Sequence, residues 1–449
     1  VVLVNDGHSK FAISSSRVVT PTGVIEAAIV VEDQLIQDVI DLSQVPADLP
    51  VTDYGDFVIS PGLIDAHVHI NDPGTDWEGF DTATAAAAAG GVTTLIDMPL
   101  NSRPVTTTVS ALEQKRAAAE NKCLVNVEFY GGLVPGNETE LLGLLDAGVL
   151  GVKAFLCDSG LAEFPAAGER ELRGALEILK PRGVPLLAHA EIVSAAAAKE
   201  ITDPTSYQQY MVSRPPKFEL DAIRLLIDLC REFQTPVHIV HLATAEALPM
   251  IAAAKREGLQ LTVETCPHYL LFNEQQIVDG DTRFKCAPPI RDDANRLALC
   301  EAVGSGLIDS IGSDHSPCPP AMKCLESGDF QKAWGGIAGL QLTLPVTRSV
   351  GSEFDWQPEL LAQRCASGPA DIFGLSDVTG RIRPGLNADI VVWDPDGKFT
   401  VDTKTLFHRH PVSPYEGVSL HGVTHCTYVR GQLVYDRRQS PALGWSKLT

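Results

Sequence analysis

Hydrophobic patterning divides this chain into two β-rich ends and a long alternating middle. Residues 11–19, 27–31 and 35–40 are short runs rich in β-branched side chains, and residues 388–393, 423–429 and 432–435 have the same character. Between them, compact apolar runs at 92–96, 125–130, 151–155, 185–189, 236–241, 261–264 and 308–312 read as strands. They alternate with segments such as 171–180 and 220–233, whose apolar residues recur at helical spacing. Alternating strands and helices predict a parallel sheet, and about eight such units predict that it closes into a barrel. The expected class is α/β: a (β/α)8 TIM barrel over 57–387, with a small β-sandwich domain built from 1–56 and 388–449. No short repeat or low-complexity linker interrupts the pattern, and the alanines at 195–198 read as helix.

Composition narrows the class. The chain has 449 residues, more than the roughly 250 of a bare barrel, which leaves room for the second domain. Asp and Glu outnumber Lys and Arg by 57 to 35, a net charge of −22. That charge repels nucleic acid and anionic membranes but says little about a small substrate in a cleft. The 10 cysteines are scattered with no Cys-x-x-Cys, so they read as reduced thiols of an intracellular protein, with the cytoplasm as the expected compartment. The alanine-rich stretch at 81–97 is too short, and too rich in Gly and Thr, for the ~20 apolar residues of a membrane span. The chain starts at Val1 without methionine, which leaves room for a removed targeting segment. Asn137-Glu-Thr reads as a chance match to a glycosylation site, and Ser446-Lys-Leu is followed by Thr449 and so is no terminal address.

The candidate chemistry begins at His67-Val68-His69, where a β-rich run stops at two histidines two positions apart. Alternate side chains of a strand face the same way, so both imidazoles can converge on one metal. Barrel sites lie at the C-terminal ends of the strands. The same rim of this barrel would carry Lys153, His189 with Glu191, His241, and Asp314 with His315. A single histidine there would be an ordinary hydrogen-bonded rim residue, and a single lysine would reach for solvent. Lys153 sits between Gly151-Val152 and Ala154-Phe155-Leu156, where an amine needs a partner or a modification.

These residues carry a family likeness. The chain resembles the cyclic amidohydrolases of the amidohydrolase superfamily: dihydroorotases, hydantoinases or dihydropyrimidinases, and allantoinases. The likeness rests on Pro61-Gly-Leu-Ile-Asp-Ala-His-Val-His69, Gly151-Val-Lys153, Ala188-His-Ala-Glu191, His238-Ile-Val-His-Leu242, Cys266-Pro-His-Tyr269, Ser313-Asp-His-Ser316 and Arg381-Ile-Arg-Pro-Gly-Leu-Asn-Ala-Asp389. It implies two zinc ions per subunit, with other divalent metals as alternatives. His67, His69 and Asp314 would hold one and His189 and His241 the other. Lys153, carboxylated by CO2 to N6-carboxylysine, would bridge them. Such a carbamate turns a cation into a two-oxygen anion that suits the space between two metals. Asp314 would serve as ligand and catalytic base. His238, three residues before His241, faces the other side of its strand and reads as packing or support.

Within the family the substrate is the open question. Dihydroorotases usually place an arginine two residues after the second histidine to grip a carboxylate; here Asn71 stands there. Hydantoinases usually place a tyrosine five residues after the bridging lysine; here it is Asp158. Other stretches resemble allantoinases: Asp72-Pro-Gly74 with Trp77-Glu-Gly79, Met98-Pro-Leu-Asn101, Lys285-Cys-Ala-Pro-Pro-Ile-Arg-Asp292, Met322-Lys323, Ala333-Trp-Gly-Gly-Ile-Ala-Gly-Leu-Gln341 and His410-Pro-Val-Ser-Pro-Tyr415. Ala287 departs from the serine common before Pro-Pro. The likeness implies a hydrolase of cyclic C–N bonds that opens allantoin to allantoate in purine catabolism, with a small-molecule partner and a homo-oligomer, a tetramer by resemblance. Expected substrate contacts are Asn71, Asn101, His268, Ala287, His315, Ser316 and Gly335. The alternatives are a hydantoinase or dihydropyrimidinase, and a non-catalytic scaffold relative; the latter typically lose ligating residues that this chain keeps.

Overall fold

A computed structural model describes residues 10–194 and 199–439; the alanine run at 195–198 lies outside the described residues. Strands β1 (Phe11–Thr20), β2 (Gly23–Glu32) and β3 (Leu35–Ile40) form an antiparallel meander. β4 (Val51–Asp53) and β5 (Val58–Pro61) both run parallel to β1.

The barrel starts one residue after β5. Gly62 makes that step: a Cβ there would lie 2.2 Å from Thr93 Cγ2, so only glycine permits the close approach. The barrel strands are β6 (Leu63–Val68), β7 (Val92–Asp97), β8 (Asn126–Phe129), β9 (Gly131–Gly132), β10 (Val152–Phe155), β11 (Leu186–His189), β12 (Val237–Ile239), β13 (Leu261–Thr265) and β14 (Ser310–Ile311), all paired in parallel. β8 and β9 are two pieces of one barrel strand, interrupted at Tyr130, whose N–H turns back to Asp97 O at 3.1 Å and whose hydroxyl donates to Ala66 O at 3.0 Å. A Val68–His315 bridge, with His69 N–H donating to His315 O at 2.8 Å, closes the circle. Strands β6, β7, β11 and β12 are buried along their whole length, as parallel strands covered on both faces must be.

The helices expected at 171–180 and 220–233 are Glu169–Leu179 and Pro216–Phe233. In the first, Leu172, Ala175, Leu176 and Leu179 form the buried stripe, and Glu171 reaches back to accept from the Gly168 N–H at 2.9 Å. No helix among the described residues is long and apolar enough to cross a membrane.

β15 (Ile390–Thr400) pairs with β5 and with β16 (Ser419–Val429), which carries β17 (Gln432–Asp436). Both chain ends therefore build one domain, the β-sandwich beside the TIM barrel. Its hydrogen bonding is continuous in the order β17-β16-β15-β5-β1-β2-β3, and β5, just beyond residue 56, is its central link. The sheet curls until Ile36 N–H reaches Leu386 O and Ala388 N–H reaches Gln34 O, both at 2.8 Å. Ile13, Ile29, Ile59, Ile390, Val392 and Cys426 fill the space enclosed. Asn137 caps the turn after β9: it accepts from Val134 N–H at 2.9 Å and donates to Gly132 O at 2.8 Å, so its amide is committed to the fold.

One buried ion pair pins the barrel rim where β6 ends. Asp97 accepts from Ile70 N–H at 2.8 Å, while Lys115 Nζ donates to Asp97 at 2.6 Å and to Met98 O at 2.9 Å. Lys115→Met leaves the carboxylate buried alone and is expected to cost about 3–5 kcal/mol, read as a lower midpoint in denaturant unfolding. An unchanged midpoint would remove the pair from the account of rim stability.

Candidate metal centre

The side chains singled out along the chain meet on one rim. His67 and His69 stand where β6 ends, Lys153 is on β10, and His189 closes β11. His241 follows β12 and Asp314 follows β14. His241 and Asp314 adopt left-handed φ values of 40° and 45°, and Asn71 and Asn101 nearby adopt 62° and 69°. Non-glycine residues rarely do so, and such positions gather at functional sites.

Asp314 Oδ1 lies 3.3 Å from His67 Nε2 and 3.4 Å from His69 Nε2. These three donor atoms sit within 4.8 Å of one another, and two imidazoles with a carboxylate are a donor set that zinc accepts. His67 Nδ1 is held at 2.7 Å by Glu264 Oε1, which fixes the ring and leaves Nε2 facing inward. His241 completes the approach, its ring 5.4 Å from that of His67 and 4.6 Å from that of His189. His189 is oriented by Glu191, 2.8 Å from Nε2, and Glu191 is in turn paired with Arg214. Phe155 stacks on His189 at 4.5 Å and lies 5.0 Å from Lys153 Nζ. A second group of candidate donors, Cys157, His189 and Glu191, lies beside the first.

Burial dictates the charge states. It pushes the Lys153 amine down to about 8, against the pull of Asp314 and Glu264, so a neutral amine is within reach near neutral pH. Burial also pushes His69 down to about 4. Burial would raise Asp314, but His67, His69 and His241 hold its carboxyl well below the usual range. Glu264 resolves the same way: burial opposes, and His67 and His238 keep it at about 2.

All six lie on the wall of one cavity of about 700 Å3. Of the expected substrate contacts, Asn101, Ala287, Ser316 and Gly335 also line it. Asn71, His268 and His315 are buried and are not among the lining residues. Asn71 Nδ2 turns to Pro317 O at 3.4 Å. His315 spends Nε2 on Glu78 at 3.1 Å and Nδ1 on the Gly339 N–H at 3.2 Å. His268 is buried, and both its ring nitrogens lack a hydrogen-bond partner. His238 turns to Thr262 Oγ1 at 2.8 Å and packs on Phe373 at 5.3 Å, the supporting role its spacing implied. Sequence reasoning missed Glu264, Arg214 and Cys157. For Glu264 a signal existed, a carboxylate inside the apolar β13 run; for the other two the sequence offered none.

A parallel barrel with a terminal β domain and a histidine–carboxylate rim defines a class, that of metal-dependent hydrolases. Comparison with known proteins gives the family: residues 58–434 match the model of the Amidohydrolase family, and this chain belongs to it. The family is in general metal-dependent, which the converging donors fit. The chain is similar to an allantoinase of Arabidopsis thaliana, 44% identical over 95% of this chain and 88% of that one. It is also similar to an allantoinase of Saccharomyces cerevisiae, 41% identical over 94% and 95%. Among solved structures it is similar to an L-hydantoinase (dihydropyrimidinase) from Arthrobacter aurescens, with a TM-score of 0.88, 30% identity, and 96% and 97% of the two chains covered.

Removing the support of His67 should loosen metal binding without removing a ligand. Glu264→Gln is expected to weaken metal affinity by about 10- to 100-fold, measured by metal titration against a competing chelator. Wild-type affinity in a folded Glu264→Gln protein would show that Glu264 does not orient the centre.

Proposed function

We propose that this chain is an allantoinase, hydrolysing a ring amide of allantoin to give allantoate in purine catabolism, at a binuclear zinc centre. One observation carries the reading: six ligand-type side chains line one cavity in a chain that shares more than 40% identity, over nearly all its length, with allantoinases. His67, His69 and Asp314 would hold one zinc and His189 and His241 the other, with Lys153, as a carbamate, supplying a further anionic ligand. When bound, the metals supply Lewis-acid polarisation of a carbonyl and acidify water toward neutrality.

The remaining roles belong to the chain. Glu264 and Glu191 fix the tautomers of His67 and His189. The lowered Lys153 amine favours the neutral form that CO2 can carboxylate. Asp314 turns Oδ1 to both imidazoles, and its carboxylate would take a proton from the attacking water and deliver it to the departing ring nitrogen. Asn101 Oδ1 is buried without a partner on the cavity wall and offers an acceptor to a substrate N–H. The backbone at Ala287 and Gly335 offers further polar groups to a ring rich in amides. Asn71 stands where a carboxylate-gripping arginine would be expected in a dihydroorotase, and Asp158, on the cavity wall, where a ring-contacting tyrosine would be expected in a hydantoinase. The 10 unpaired cysteines support an intracellular, cytoplasmic setting. The tetramer implied by family resemblance is checked by sedimentation of the same preparation.

The deciding experiment is kcat/KM of the zinc-loaded enzyme on allantoin, hydantoin, dihydrouracil and dihydroorotate. A site whose polar groups are matched to the ureido arm should prefer allantoin by orders of magnitude, about 10⁴ in well-matched sites. If hydantoin or dihydrouracil outran allantoin, the hydantoinase reading would replace this one.

Lys153→Ala is expected to lose most bound metal and nearly all turnover, with partial recovery of both on adding a short carboxylic acid. Two metals per chain and normal turnover in Lys153→Ala would exclude the carbamate bridge; metal analysis and an allantoin assay on one preparation read both.

A further inference from the structure

Lys323 ends a short 3-10 turn, Pro320–Lys323, nine residues beyond Asp314. Its side chain is buried, yet its ammonium meets no carboxylate among the described ion pairs. All three of its donors go to main-chain carbonyls instead: Lys285 O at 3.3 Å, Trp334 O at 3.0 Å, and Gly336 O. A buried ammonium kept only for stability would ordinarily be paired with an acid. This one is spent on orienting backbone.

The carbonyls belong to two strips of main chain that border the cavity. One strip carries Lys285 and Ala287, the other Ala333, Trp334 and Gly335, all of them lining residues. Gly336 N–H donates to Lys285 O at 2.9 Å and ties the strips together. Lys285 Nζ adds bonds to Gln331 O at 3.2 Å and Ala333 O at 2.5 Å. A Cβ at Gly335 would stand 4.0 Å from Ala287 N, ordinary contact distance, so the two strips face each other there. At Gly336 a Cβ would meet Ser316 O at 2.4 Å, which locks the second strip against the segment bearing Asp314. Lys323 therefore bonds to both strips at once, beside the direct Gly336–Lys285 bond that links them. It also polarises the Trp334–Gly335 peptide, and hydrogen bonds strengthen one another along such chains, which makes the Gly335 N–H a better donor.

We infer that Lys323 is a positioning residue that fixes the spacing of these two backbone strips and thereby sets substrate affinity, while leaving the metal centre alone. The inference rests on the reading that the cavity takes a small cyclic amide.

The test uses the full-length, zinc-loaded protein with Lys323→Met and Lys323→Gln. Four quantities are measured: kcat and KM for allantoin, metal per chain, and hydrogen exchange of residues 331–337 without substrate. Lys323→Met should raise KM by about ten-fold or more with kcat within about three-fold, the pattern of lost binding in ground and transition state alike. Its metal content should match wild type, and exchange at 334–337 should quicken. Lys323→Gln keeps N–H donors and should fall between the two. Wild-type KM and wild-type exchange in both folded variants would overturn the inference. So would a joint fall of kcat and metal content with KM unchanged, or failure of both variants to fold, which makes the residue purely structural. If wild-type protein does not open allantoin, the substrate reading fails, and the exchange arm still decides whether Lys323 straps the strips.

Discussion

One buried carboxylate joins the two halves of the candidate centre. Glu264, on β13, accepts from His67 Nδ1 at 2.7 Å and from the His241 N–H at 3.3 Å. It thereby touches the exits of β6 and β12 at once, and those strands are not neighbours in the barrel. Its charge is tolerable in the interior because His67 and His238 face it. Without it, each half of the rim would hold donors of the right type in independent orientations, and a metal site needs the orientations together.

The same economy recurs around the rim. Glu191 stands between His189 and Arg214, and Glu219 takes Arg291 on one oxygen and the Ala243 and Thr244 N–H groups on the other. Glu78 faces His315. Each pair costs desolvation that an apolar substitute would avoid, and each supports a residue at, or next to, the cavity wall. Apolar packing holds the barrel together, but it is non-directional. Hydrogen-bonded charge supplies the direction that ligand atoms need. The acidic excess of the chain is therefore partly an interior feature.

Substrate recognition follows a different physics. Two lining stretches, at Ala287 and Gly335, belong to main chain whose carbonyls accept from Lys285 and Lys323, neither of which forms an ion pair among the described residues. Backbone presents donors and acceptors at fixed spacing with no rotamers to lose, which suits a small ring rich in amides.

Much of this was legible along the chain, because the signals are local. Strand and helix follow from apolar period, so the alternating middle and the β-rich ends could be read directly, and the helix expected at 171–180 is Glu169–Leu179. His67 and His69 share a face because strand side chains alternate, a rule that needs no partner strand. What the sequence could not decide is anything set by neighbours far apart in it. The break between β8 and β9 at Tyr130 depends on Asp97 O and Ala66 O. The partner that claims His315 Nε2 is Glu78, 237 residues away. Asn71 and His268 are buried but are not among the residues that line the cavity, which a motif alone does not reveal. Residue type and period determined the fold class and the metal-type donors; only closure of the barrel decided which polar atoms face the cavity, because that depends on which buried partner claims each one first.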